Sequence, residues 1–390
     1  MATEPRARTE PPGSAEPAET AERGAPPERA EVVVIGGGVI GLSIAAELAG
    51  AGVETVLLER DTPGSGASKA TADVLRAYFA GNPVSSAMAV RSLAAYREWD
   101  GLPMRPTGYL VLFTDAEQVS EWERQRPAQH DAGVDVELID AAEARRRNPL
   151  IAPNLPLTAA AWSPQAYVSD TAAIVAGFVR AARRAGAGVH SGCRVTDVDT
   201  VTGRVGIAGG RSVTAGTVVC AAGAWSAPIA RMAGVDLPLA EPVVQELLTA
   251  GPLPDAPDIP ITLHAASGLL VRRRGEGLLV GMGYPGPDRD DWRDRVRRQL
   301  ALTYPHLTGA EIGTAFTGVR DASPDRTAFI GRAPGDTPFL YAAGFSGHGL
   351  CVAPAAGQIV RDLYLGRDPG IPVAKLDVSR HRTGRRDDDD

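Results

Sequence analysis

Three glycines, Gly36, Gly38 and Gly41, form a GxGxxG pattern, and a carboxylate, Glu59, lies 23 residues after the first of them. Together they point to dinucleotide binding. The first glycine lets the chain turn tightly, the second lets backbone approach a pyrophosphate, and the third lets a helix pack on a sheet. The anion then meets free N–H groups at the positive end of the helix. Glu59 can accept hydrogen bonds from both ribose hydroxyls, and its charge disfavours a 2′-phosphate, hence NADP. FAD and NAD share this fingerprint; the extra glycine, Gly37, and a second glycine-rich turn, GFSGHG at 344–349, lean toward FAD. That second turn runs into a helix and offers another set of N-terminal N–H groups. Its His348 can be neutral or charged near pH 7, which suits it to polarising a bound ring or adjusting proton release; the alternative is a buried histidine satisfied by backbone.

These groups need elements to position them. Val32 to Ile35 is a continuous β-branched run, suited to a strand buried on both faces; an Ala-rich segment follows, then Gly52, then a second apolar run from Val53 to Leu58. This strand–helix–strand unit has the length a right-handed βαβ crossover requires. Further on, Gly108 to Phe113 reads as a strand, Asp115 to Ala132 and Ala141 to Arg147 as helices, and Asp170 to Ala185 as a helix with Asp170 as N-cap. Strand-like segments follow at Arg194 to Val198, Val205 to Ile207 and Thr217 to Cys220. Alternating helices and strands at both ends, around a strand-rich middle from Leu237 to Gly283, predict an α/β fold in which a doubly wound domain is interrupted by an insertion.

Composition narrows the function classes. The 390 residues carry 40 basic and 47 acidic side chains, a net charge of −7, so no global positive field attracts nucleic acid. No run reaches the roughly 18 apolar residues of a membrane span. Residues 1–30 contain no Val, Ile, Leu or aromatic residue but six prolines, six glutamates and four arginines, and read as a disordered tail, as do 377–390. Cys193, Cys220 and Cys351 are far apart and match neither a disulfide framework nor a metal site, which fits a reducing, cytoplasmic setting. No histidine spacing suggests a metal.

Further signatures lie between the two glycine turns. PGSGASKATADVLR at 63–76 places small and hydroxyl residues before Arg76, VVCAAGAWS at 218–226 runs a buried strand into a turn, and TGVRDASPDRTAFIGR at 317–332 carries Arg320. In this order the motifs resemble the D-amino acid oxidase superfamily of flavoenzymes, with closest likeness to sarcosine oxidase-like and glycine oxidase-like members, over nearly all of residues 31–366.

The resemblance implies a Rossmann-like FAD-binding domain (31–80, 160–230 and 318–370) with an inserted, mainly antiparallel β-sheet substrate domain (81–159 and 231–317), of the glutathione reductase type 2-like kind. It implies that Gly36, Gly38, Val39, Ile40, Gly41, Glu59, Arg60, Ser68 and Lys69 surround the adenosine, ribose and pyrophosphate of FAD, and that Val195, Ala222, Gly223 and Trp225 line the same region. Gly344, Ser346, Gly347, His348, Gly349 and Leu350 would wrap the flavin end. The implied chemistry is oxidation of the C–N bond of an amino acid or secondary amine, such as sarcosine, glycine, proline or a D-amino acid, by hydride transfer to flavin N5. The resulting imine hydrolyses, and dioxygen or an electron carrier reoxidises the flavin. Arg76 and Arg320 match positions near the substrate carboxylate, which an arginine fork binds bidentately. Gly318 stands where covalently flavinylated relatives carry cysteine, so FAD is expected to be non-covalent. Cys351 stands where sarcosine oxidases have a carboxylate-binding lysine. The substrate face is expected from the segments around Tyr109, the Gly268 to Tyr284 strands and Arg320; Arg272, Tyr284 and Trp292 are candidate contacts there, the alternative for each being packing or surface.

Two other readings use the same fold. A 2-hydroxy acid would present the same carboxylate to an arginine, and a non-catalytic flavin-binding subunit would hold FAD without turning over an amine.

Overall fold

The computed structural model describes residues 25–253, 255–283 and 289–381; residues 1–24 and 382–390 of the expected tails, and Tyr284, lie outside them. The opening unit is β1 (Arg29–Ile35), α1 (Val39–Gly50) and β2 (Thr55–Leu58). β1 runs parallel to β2 on one side and to strand Arg211–Cys220 on the other. Val32, Val33 and Val34 are fully buried, because core clusters cover both faces of the sheet. Such a strand reads as a continuous apolar run and not as an alternation. From one edge the sheet runs through residues 195–199, 204–207, 211–220, β1, β2 and 188–190. Strand Phe339–Ala343 adds parallel to the end of Arg211–Cys220, with Phe329–Arg332 antiparallel beside it.

α1 crosses helix Gly349–Tyr364 closely: a Cβ on Gly357 would lie 2.4 Å from Ser43 Oγ. Near the helix starts, Ile40 reaches the α-carbon of Gly349. The N-termini of two helices that follow two glycine turns therefore face one region.

The second sheet is the mainly antiparallel one. Its order is 311–320, 243–251, 277–282, 269–274, 261–264, 109–113, 159–163 and 137–140, with a single parallel pair between Ile261–His264 and Tyr109–Phe113. Helix Arg289–Thr303 covers it, burying Trp292, Val296 and Leu300 with Leu248 and Val280.

Several expected boundaries shift. β1 starts at Arg29, inside the segment read as a tail, because Arg29 and Ala30 pair with Thr214 and Ala215. At the other end Val378–His381 forms a 3-10 turn with Val378 buried, and Arg380 makes an ion pair with Asp325 at 3.0 Å, so the ordered chain passes Leu376. Strand Ala159–Ser163 straddles the expected boundary at 160 and belongs to the second sheet. Helix Pro83–Arg97, which falls in the segment assigned to the substrate domain, packs on Gly349–Tyr364. Tyr96 donates to the Leu350 carbonyl at 2.8 Å, and Ser92 Oγ accepts from Ala355 N at 3.1 Å.

Candidate active site

A cleft of about 460 Å³ runs from the first glycine turn to the end of the strand Glu311–Arg320. Gly36 is there for the turn itself: its φ is +110°, and a Cβ would lie 2.4 Å from the Ala221 carbonyl oxygen. At Gly41 a Cβ would come within 1.9 Å of the Gly36 oxygen, so that glycine lets helix meet turn. Gly38 differs, since a Cβ there would meet only Ser68 Oγ at 3.3 Å. Its backbone is bare on the side facing the cleft. The first helical N–H, on Val39, donates to Ser68 Oγ at 3.1 Å, so a distant serine supplies the cap that Gly38 cannot.

Glu59 ends β2 at the same turn. Its Oε2 accepts from Gly37 N at 2.7 Å and its Oε1 from Asp61 N at 2.8 Å, which fixes the carboxylate beside the cradle. Arg60 stacks on Trp225, guanidinium carbon 3.6 Å from the ring centroid, and both line the cleft with Val195, Ala222 and Gly223. Bare backbone at the helix start, a fixed carboxylate at the strand end and a flat apolar wall beyond it suit the pyrophosphate, ribose and adenine of a dinucleotide. The residues present fit FAD.

At the other end, Gly347, Gly349 and Leu350 line the cleft with Gly318, Val319, Arg320 and Asp321. Asp321 is buried and holds the turn: its Oδ2 accepts from Gly344 N and, at 3.3 Å, from Phe345 N. Burial raises its carboxyl pKa, while these bonds oppose the shift. Ser346, at φ +54°, has its Oγ within 3.2 Å of Ser323 N. Gly344 and Ser346 therefore shape the turn without lining the cleft. Arg320 donates through Nη1 to the Ser346 carbonyl at 2.9 Å. Burial and the nearby Arg326 push its pKa down to about 10, which leaves it charged at neutral pH.

A family model described as "DAO: FAD dependent oxidoreductase" matches residues 31–363. The chain belongs to this family. It is accordingly an FAD-dependent oxidoreductase, with the FAD-binding Rossmann domain of that fold. The glycine oxidase of Geobacillus kaustophilus (strain HTA426) is 28% identical over 371 residues, covering 90% of this chain and 97% of the relative. Mitochondrial dimethylglycine dehydrogenase of Mus musculus is 25% identical across 92% of this chain and 45% of that longer protein. Among solved structures, L-proline dehydrogenase from P. horikoshii superposes with a TM-score of 0.83 at 29% identity, covering 91% of this chain and 98% of the other.

Not every residue singled out in the sequence of this FAD-dependent oxidoreductase reaches the cleft. Arg76 does not line it; its guanidinium carbon is 3.8 Å from the Phe79 centroid and 4.9 Å from that of Tyr109, and it donates to the Tyr78 carbonyl. His348 is half-buried beside the same group, edge-on to Phe79 at 4.9 Å. Burial, reinforced by the charges of Arg76, Arg320 and Arg326, holds its pKa well below the ordinary histidine value, so the imidazole is neutral. Lys69, last residue of a 3-10 turn, points to solvent. Cys351 is buried, donating to the Val74 carbonyl at 3.3 Å, and burial raises its thiol pKa. Arg272 pairs with Asp73 at 2.8 Å and Trp292 donates to the Met282 carbonyl at 2.7 Å, both in packing roles. Gln245 also lines the cleft. A lone glutamine in a strand carries no local signal, and only strand pairing reveals where it lies.

Proposed function

We propose that this enzyme oxidises the C–N bond of a small amino acid or secondary amine, with FAD held non-covalently and dioxygen or an electron carrier as final acceptor. The observation that carries the reading is Arg320: a charged, half-buried arginine at one end of a cleft whose other end is a dinucleotide cradle. Bound FAD supplies the two-electron acceptor for the substrate's α-C–H bond. The chain's own residues do the rest. Arg320 grips the carboxylate, and the Ser346 carbonyl fixes where its guanidinium points. Positive charge from Arg320 and Arg326 disfavours a protonated substrate amine, and only the uncharged amine can give up hydride. Neutral His348 lies at the start of Gly349–Tyr364, where it adds no charge and the helix N–H groups stabilise developing negative charge. Arg76 acts through His348, helping to keep it neutral.

The test is anaerobic addition of glycine, sarcosine, L- and D-proline and other amino acids to the FAD-loaded protein. Bleaching of the flavin band by one of them is expected, and air then separates oxidase from dehydrogenase. Bleaching by 2-hydroxy acids alone, or by nothing, overturns the reading.

A further inference from the structure

We propose that Gln245 is a substrate-positioning residue whose side-chain oxygen accepts a hydrogen bond from the α-nitrogen of an amino acid held by Arg320. The inference rests on the reading of Arg320 as the carboxylate grip. In the pairing of Val243–Gly251 with Glu311–Arg320, Gln245 lies opposite Gly318 and Val243 opposite Arg320. Gln245 and Arg320 therefore share a face as diagonal neighbours, roughly 7 Å apart, a span that two long side chains close around one small ligand. Gly318, opposite Gln245, carries no side chain, and Ala70 packs on its bare α-carbon, where a Cβ would approach the Ala70 Cβ to 2.4 Å.

The other polar groups here are engaged. Asp321 is turned toward the amides of Gly344 and Phe345. Among the described residues no hydrogen bond engages the half-buried Gln245 amide, which lines the cleft with Arg320. An amide also suits the site electrostatically. A carboxylate at 245 would compete with the substrate for Arg320, whereas a neutral oxygen accepts from an uncharged N–H and leaves the guanidinium for the substrate. Substrates with N–H are thereby favoured over those with an ether oxygen in its place.

The experiment uses FAD-loaded protein and matched pairs whose oxygen member is an ether with no O–H to donate: sarcosine with methoxyacetate, L-proline with tetrahydro-2-furoate. Dissociation constants come from perturbation of the visible flavin spectrum without oxygen, and KM and kcat from turnover of the amine. Gln245→Met should weaken the amine of the recognised pair about tenfold while leaving its oxygen isostere within twofold. Gln245→Asn, which withdraws the amide by one methylene, should act in the same direction by less. Arg320→Leu should weaken both members. Equal weakening of both members by Gln245→Met, no effect on either, or loss of FAD from both Gln245 variants overturns the proposal for Gln245 and leaves Arg320 standing. Unchanged binding of both members in Arg320→Leu overturns the carboxylate reading on which it rests.

Discussion

The Arg320 guanidinium and the Gly347 α-carbon are in contact: a Cβ on Gly347 would lie 2.5 Å from Arg320 Nη1. The glycine turn and the end of strand Glu311–Arg320 thus fit together only because residue 347 has no side chain and adopts φ +84°. Gly347→Ala should push Arg320 off the Ser346 carbonyl. The expected result is at least a tenfold rise in KM for a carboxylate substrate, with FAD retained, because the first glycine turn is untouched. Steady-state kinetics beside an FAD:protein absorbance ratio checks it.

Glu59 is expected to set cofactor affinity. Its carboxylate is already oriented by Gly37 N and Asp61 N, so ordering it costs nothing when a ribose binds. Glu59→Gln keeps size but loses charge and one acceptor, and should raise the FAD dissociation constant about tenfold or more. Glu59→Ala should raise it further. Quenching of flavin fluorescence on titration measures both, and the stacked Trp225 provides an independent emission signal.

What was legible in the sequence was what is local. The turn from Gly36 to Gly41, the strand end at Glu59 and the cap at Asp170 depend on neighbours a few residues away. Asp170 does accept from the backbone N–H three residues on. Helix Pro83–Arg97 carries comparable start signals, Asn82 capping Ser85 N and Pro83 at its first position, yet its small, weakly amphipathic residues gave no period to read. Arg76 shows the other limit. It lies beside His348, but Tyr109, which helps hold it there, comes from the second sheet. Gln245 meets Gly318 only through a long-range strand pair, so its place in the cleft is a property of the fold alone.

Gly318 should resist being made an attachment site. A Cβ there would come within 2.4 Å of the Ala70 Cβ, so Gly318→Cys forces strand Glu311–Arg320 away from the 3-10 turn that Ala70 follows. Overpacking of this kind costs about 1–3 kcal/mol. A lowered Tm is expected, with no flavin fluorescence on a denaturing gel, and the added change Ala70→Gly should recover most of the stability. Wild-type protein precipitated with acid should release its flavin into the supernatant.

His264 should make the folded state sensitive to mild acid. It is 2% exposed, its Nε2 has no hydrogen-bond partner among the described residues, and burial pushes its pKa down to about 4. Unfolded, the same imidazole titrates near 6.5. Between those values the unfolded chain binds a proton that the folded chain refuses. The stability from this group is therefore fully present above pH 6.5 and is lost as pH falls toward 4. By pH 4.5 the loss amounts to about 2–3 kcal/mol. Carboxylates titrate in the same range, so the comparison must be made between variants. His264→Leu, which removes the proton site while keeping an apolar side chain, should lose that much less stability than wild type between pH 7 and pH 4.5 in urea unfolding. Parallel pH profiles for the two proteins would show that His264 finds a proton acceptor in the folded state and that burial does not hold it neutral.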